Sequence, residues 1–123
     1  EAGEMEQRKL FDSELKLMEL LWAREPVSAK QLSLLAEEEI GWNKNTTYTV
    51  IKKLIEKGVI LRTEPNFMCT SLVDKKAVRS AETKSLIGKF FGGSKKAFFA
   101  ALLEDESLTD EELAELKDMI EKR

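Results

Sequence analysis

The chain has 123 residues, of which 42% are apolar and 35% charged, and its formal net charge is −3. This length and apolar content suit a compact globular protein with a core of its own. The sequence has no histidine, which excludes Ser-His and Cys-His catalytic pairs and removes the commonest metal ligand. The single cysteine, Cys69, cannot form an internal disulfide or a cysteine-cluster metal site, so we expect it to be a small packing residue.

Two further sequence patterns bear on catalysis and on membranes. The pair Gly92-Gly93 follows a helical segment rather than a strand, so it does not predict a phosphate-binding loop, and we expect neither an enzyme nor a cofactor. No apolar stretch approaches the roughly 20 residues that a membrane span needs, and no charged-then-apolar leader is present. We therefore expect a cytoplasmic protein without membrane insertion.

The chain is expected to start with a tail and a helix. Residues 1–10 are assigned to an N-terminal tail, of which residues 1–4 are expected to be an expression remnant. A helix is predicted from about Asp12 to Arg24, because apolar side chains recur at spacings of three and four and Pro26 stops the pattern. Its apolar stripe consists of Phe11, Leu15, Met18 and Trp22.

Two more helices follow, each with recognisable end signals. One begins after Ser28, which is expected to form a capping box with Gln31. Its inward side chains are Ala29, Leu32, Leu35 and Ala36. The other lies within WNKNTTYTVIKKLIEKG, residues 42–58, where Asn43 is a good N-cap and Gly58 a good stop. Its inner face consists of Thr47, Ile51, Leu54 and Ile55, and its outer face of Asn45, Thr46, Thr49, Lys52 and Lys53.

The segment after Gly58 predicts a β-hairpin. Val59 to Glu64 and Phe67 to Val73 are rich in strand-forming residues and flank the turn dipeptide Pro65-Asn66. A helix followed by a glycine stop and a hairpin is typical of the end of a winged helix-turn-helix. We assign residues 11–73 to such a domain, whose third helix would place short polar side chains at base edges and lysines at phosphates. An ordinary amphipathic surface helix is the alternative interpretation of that pattern.

The distribution of charge supports the DNA-binding interpretation. Residues 43–62 carry five basic and one acidic side chain, and residues 63–103 carry seven and three. The acidic excess lies at the ends, with five basic and ten acidic side chains in residues 1–42 and three and nine in residues 104–123. A local positive field matters more for nucleic-acid binding than the total charge. The candidate DNA-binding residues are Lys44, Asn45, Thr46, Tyr48, Thr49, Lys52, Lys53 and Arg62.

Residues 74–123 are predicted to form three apolar helices, which together make a dimerisation region. The first runs from Asp74 to about Phe91, the second starts at Ser94, and Thr109 with Glu112 forms a capping box for the third. Such short helices are marginal without tertiary packing, so a second copy of the chain is their expected cover. The alternative is that they fold back onto the same chain. The candidate dimerisation residues are Leu86, Ile87, Phe90, Phe91, Phe98, Phe99, Leu102, Leu113, Leu116 and Ile120.

The ordered set of motifs resembles the penicillinase repressor family of the BlaI/MecI/CopY type. SELKLMELLW, WNKNTTYTVIKKLIEKG, the GGS break and LTDEELAELKDMI match in order and spacing from about Phe11 to Ile120. The resemblance implies a homodimeric repressor that binds inverted repeats with TACA/TGTA half-sites of double-stranded DNA. It also implies that Thr46 and Thr49 are the family's recognition threonines, that Asn45 replaces a frequent lysine, and that Lys53 keeps a basic position.

Two departures from the family pattern leave the inducing signal open. The copper-responsive branch ends in a cysteine pair, and this chain has no cysteine after Cys69. The branch that responds to β-lactams through a membrane sensor and protease pathway is cut at an Asn-Phe bond, where this chain has Ala101-Leu102. The only Asn-Phe pair, Asn66-Phe67, falls in the predicted wing turn. A winged helix used solely for protein contacts is the alternative function.

Overall fold

The computed structural model describes residues 9–123 and is mainly helical with one small sheet, as the sequence predicts. Most of the predicted tail, residues 1–8, lies outside the described residues. The elements are α1 (Asp12–Arg24), β1 (Val27–Ser28), α2 (Ala29–Glu39), α3 (Lys44–Glu56), β2 (Ile60–Thr63), β3 (Met68–Ser71), α4 (Lys75–Phe91), α5 (Lys95–Leu103) and α6 (Asp110–Glu121). Three helices and a hairpin form a winged helix-turn-helix, and three helices follow it.

The three strands form one antiparallel sheet in the order β1-β3-β2, and the hairpin of β2 and β3 is the wing. The hairpin pairs Ile60 with Ser71 and Thr63 with Met68, as expected for the two runs around the turn. The short strand β1 was not predicted, and it pairs Val27 with Cys69 on the other side of β3. Two residues are too few for an alternating pattern, so this strand leaves no periodic signal in the sequence.

The predicted caps are present at most helix starts. The Asn43 side chain accepts a hydrogen bond from the Thr46 N–H at 2.8 Å at the start of α3. Thr109 and Glu112 form both bonds of the capping box of α6. At α2 the prediction was half right: the Ser28 hydroxyl accepts from the Gln31 N–H at 3.1 Å, and the reciprocal side-chain bond of a capping box is not formed. These caps satisfy backbone donors that the helix itself leaves unpaired.

The core of the first compact unit lies between α1, α2, α3 and the sheet, and it includes the inner face of α3. Thr47, Ile51 and Leu54 are fully buried, which confirms the predicted face. The stripe predicted for α1 was wrong at its first position, because Phe11 is 67% exposed. Phe11 precedes the helix with an extended backbone, so helical spacing does not apply to it. The buried residues of α1 are Glu14, Leu17, Met18, Leu20 and Leu21.

The chain divides into two compact units between Val78 and Arg79, within α4. In the second unit α5 starts at the Ser94 cap, after a turn in which Gly92 and Gly93 have the positive φ values that glycine adopts most easily. Ile87 is the one buried hydrophobic side chain of residues 79–123, all of which are described. No helix within the described part of the chain is long and apolar enough to cross a bilayer.

We predict a pH-dependent stability from Cys69, which is fully buried in β3. Burial raises the pKa of its thiol from 9.0 to about 11. Because the folded state holds the proton more tightly than the unfolded state, this stabilisation is complete below pH 9.0 and is lost as the pH rises through about 11.

Urea unfolding of the wild type and of Cys69→Ala across that range measures the effect. The free energy of unfolding of the wild type should fall by about 2 kcal/mol more than that of the variant. Parallel pH profiles would contradict a buried, protonated Cys69.

Candidate nucleic-acid interface

The outer face of α3 carries the predicted DNA-binding side chains, and the structure places them together. All of its predicted members except Tyr48, which is half-buried, are exposed to solvent; the exposed ones are Lys44, Asn45, Thr46, Thr49, Lys52 and Lys53. They lie opposite Thr47, Ile51 and Leu54, whose burial holds this face outward. The arrangement has short polar side chains in the first two turns and cations at both ends.

The two threonines of this face differ in how their hydroxyl groups are used. The Thr49 hydroxyl donates to the Asn45 carbonyl at 2.8 Å, one turn earlier in the same helix. That bond occupies the hydroxyl proton and fixes the side-chain rotamer, so the γ-methyl of Thr49 is available for an apolar contact. At Thr46 it is the backbone N–H that is bonded, to the Asn43 cap, and the exposed side chain can offer a hydroxyl or a methyl group.

An aromatic contact connects α3 to the wing. The Tyr48 and Phe67 rings meet edge to face, with centroids 6.0 Å apart and planes at 74°. The Lys44 ammonium lies 5.9 Å from the centre of the Tyr48 ring, and the Arg62 guanidinium carbon lies 3.6 Å from the centre of the Phe67 ring. Contacts of both kinds are attractive. Tyr48 therefore packs between the helix and the wing, and its ring is only partly available to a ligand.

Arg62 lies in β2 and forms an ion pair with Glu64 through its Nε atom. The other carboxylate oxygen of Glu64 accepts the Phe67 N–H at 3.2 Å. The hydrogen bonds from Arg62 and then from Phe67 lower the pKa of Glu64 below its usual value. The predicted cation of the wing is thus oriented by a neighbouring carboxylate and an aromatic ring.

Glu64 and Phe67 were missed as contributors to this surface. One signal for Glu64 was available, because residues two apart in a strand point to the same face and Arg62 is two positions earlier. Phe67 has no such signal. Its φ of 50° and the φ of 74° at Asn66 return the chain through the left-handed region, and only this turn brings the ring under Arg62.

The five basic side chains of residues 43–62 are not equivalent. Within the described part of the chain, neither Lys52 nor Lys53 forms an ion pair, and both are exposed. Lys57 instead points into the protein, where its ammonium lies 2.7 Å from a Glu14 carboxylate oxygen. Lysines that are exposed and without a carboxylate partner suit phosphate contacts, which fix a protein on a duplex without reading its sequence. Lys52 and Lys53 meet both conditions.

The second unit contains the predicted dimerisation residues, which differ in exposure. Phe90 is 74% exposed, Ile120 59% and Leu86 42%, whereas Ile87 is buried. The remaining ones are half-buried, namely Phe91, Phe98, Phe99, Leu102, Leu113 and Leu116. The Phe91 and Phe98 rings pack edge to face across the glycine break, with centroids 5.6 Å apart. Large apolar side chains therefore remain accessible on α4 and α6.

Comparison with known proteins identifies the family. Residues 10–122 match the penicillinase repressor family. The chain is 26% identical to the methicillin resistance regulatory protein MecI of Mammaliicoccus sciuri, over 94% of this chain and 95% of that protein. It is 23% identical to the penicillinase repressor of Bacillus licheniformis, over 92% of this chain and 90% of that protein. The match covers both the winged helix and the helices that follow it, so the chain belongs to the penicillinase repressor family of transcriptional repressors.

Proposed function

We propose that the chain is a homodimeric repressor that binds an inverted-repeat DNA operator of the TACA/TGTA type through the outer face of α3. The observation that carries this proposal is the division of α3 into a fully buried face and an exposed polar and basic face. A helix held in this way can enter the major groove, which is about 12 Å wide and presents a different pattern of donors and acceptors for each base pair.

The roles of the side chains follow from their positions on the helix. The first turns of a recognition helix are the part that reaches base edges, which is where Asn45, Thr46 and Thr49 lie. Threonine methyl groups suit the thymine methyl, and the Asn45 amide suits a base edge or a phosphate. Lys52 and Lys53 would contact phosphates. Lys44 and Tyr48 would do so from the first two turns of the helix, and Arg62 from the wing.

Dimerisation is the second part of the proposal, and residues 74–123 would provide it. Fully burying one large apolar side chain stabilises by roughly 1.5 to 3 kcal/mol, so a few of them repeated by two-fold symmetry can hold a dimer. Phe90, Ile120 and Leu86 are exposed enough to contribute in this way. A dimer whose two DNA-binding domains are related by a two-fold axis matches an operator whose half-sites are inverted repeats.

The relatives support repression and leave the releasing signal open. One is named for the regulation of methicillin resistance and another for the repression of penicillinase. This chain has Ala101-Leu102 at the position of the family's cleaved Asn-Phe bond, so release through a membrane sensor and protease pathway would need another cleavage site. A protein-binding winged helix is the alternative, and it predicts no preference for one duplex sequence over another.

We predict that Lys53→Ala weakens binding to duplex DNA and makes it less sensitive to salt. Removing one phosphate contact should lower the slope of log affinity against log salt by about 1, on operator and random duplex alike. Fluorescence anisotropy over a salt series measures this slope. Lys16→Ala is the matched control, because Lys16 is an exposed lysine on α1 and its removal changes the net charge equally. Equal slopes for Lys53→Ala and Lys16→Ala would show that Lys53 does not contact phosphate.

Base reading by the two threonines gives a different expected result. Thr46→Ala and Thr49→Ala should each lose roughly 1 to 3 kcal/mol on a TACA/TGTA palindrome and far less on random duplex. Thr49→Val is the control that keeps the methyl group and removes the hydroxyl bonded to Asn45, and it should bind nearly as the wild type does. Equal losses on both duplexes would mean that the threonines only position the protein.

We predict that Phe90→Glu converts the protein from a dimer to a monomer. Phe90 is 74% exposed within the chain, so the change should leave each chain folded and remove only a contact between chains. Sedimentation at micromolar concentration should show the shift. Operator affinity should also fall, because a dimer that is bound at one half-site holds its second DNA-binding domain at a high effective concentration near the other half-site. Leu34→Glu, at a 51% exposed leucine on α2, is the control and should stay dimeric. A monomeric wild type would contradict the assignment of residues 74–123.

A further inference from the structure

A carboxylate is buried in the core of the winged helix. Glu14 lies in the first turn of α1 and is only 2% exposed, and its neighbours one turn on, Leu17 and Met18, are fully buried. A charge in such a place is costly unless it is paired and hydrogen-bonded. The apolar pattern of α1 assigns no role to this residue.

The carboxylate is paired with a lysine 43 positions later in the chain. Its Oε1 atom accepts a hydrogen bond from the Lys57 ammonium at 2.7 Å and another from the Phe11 N–H at 2.9 Å. The same ammonium donates to the Lys9 carbonyl at 3.2 Å and lies 4.5 Å from the centre of the Phe11 ring. Lys57 is therefore held by a carboxylate, a carbonyl and an aromatic face.

This ion pair attaches the end of the candidate recognition helix to the start of α1. Lys57 is the C-cap of α3 and donates its backbone N–H to the Lys53 carbonyl at 3.0 Å. Glu14 is 43 positions earlier in the chain. At the other end of the helix Tyr48 contacts Phe67 of the wing. The apolar packing of α3 determines which face is buried, and the charge-assisted hydrogen bond of 2.7 Å between Lys57 and Glu14 additionally attaches the C-terminal end of the helix to α1.

Stability alone does not account for a pair of this kind. An apolar pair of similar volume often holds a fold as well as a buried ion pair or better, because it avoids the desolvation of two charges. What the charged pair adds is a requirement for one geometry, as buried polar groups do in coiled coils of defined register. We infer that Glu14 and Lys57 are positioning residues that set the orientation of α3 on DNA. This inference rests on the proposed function and gives Lys57 no contact with DNA.

The test separates orientation from stability and from phosphate binding. The double variant Glu14→Leu/Lys57→Met replaces the pair by apolar side chains in the full-length chain. Its melting temperature should stay close to that of the wild type, while its preference for a TACA/TGTA palindrome over random duplex should fall about tenfold, the effect of one lost base contact. Its salt slope should equal that of the wild type, in contrast to the decrease of about 1 expected for Lys53→Ala.

Glu14→Gln gives a second measurement should the double variant be poorly folded. It keeps an acceptor oxygen for the Phe11 N–H and removes the charge that Lys57 pairs with. Its preference for the palindrome should fall in the same direction. The inference is overturned if either folded variant discriminates the two duplexes as the wild type does, or if Lys57→Met lowers the salt slope by about 1, which would make Lys57 a phosphate ligand. A wild type that does not discriminate would instead overturn the proposed function, and the inference with it.

Discussion

The burial of the inner face of α3 is the constraint on which the rest of the arrangement depends. Thr47, Ile51 and Leu54 are fully buried, and together they determine the rotation of the helix about its own axis. Successive residues of a helix are about 100° apart, so a shift of one position would bring a side chain such as Lys52 into the core. The exposed face is therefore a consequence of the packing, and its chemistry can be varied without changing the fold.

The elements that the sequence predicts well are those with local signals. Asn43 and Thr109 mark helix starts because a side-chain oxygen bonds a backbone N–H three residues later. Gly58 ends α3 with the positive φ that glycine adopts easily. β1 was missed because a two-residue strand has no periodicity. Phe11 was misplaced because it precedes the helix with an extended backbone, so helical spacing does not apply to it.

The sequence predicts which residues form the candidate site better than it predicts the contacts among them. Helical periodicity is enough to place Asn45 and Thr49 on one face, but it says nothing of the hydrogen bond that fixes the Thr49 hydroxyl. The charge count along the sequence also groups Lys57 with the other basic residues of the segment 43–62. Only the tertiary structure shows that this ammonium is paired with Glu14 in the interior. Sequence distance is the physical reason, since 43 positions separate the two partners and no pattern links them.

The two compact units divide the proposed function between them. The first contains the exposed face of α3 and the wing, and the second contains accessible aromatic and aliphatic side chains such as Phe90. Reading of bases and pairing of chains are thereby assigned to different parts of the sequence. In such a division, the side chains that face DNA can change without altering the apolar side chains proposed to pair two chains.

The most direct test of the central claim is a map of backbone amide chemical shifts during titration with a short TACA/TGTA duplex. The largest changes should fall in residues 43–53 and in the wing turn, residues 62–67. Exchanging the half-site bases should change the pattern within residues 45–49 and leave the phosphate-facing lysines nearly unaltered. Shifts confined to residues 79–123, or a pattern indifferent to the bases, would contradict a reading face on α3.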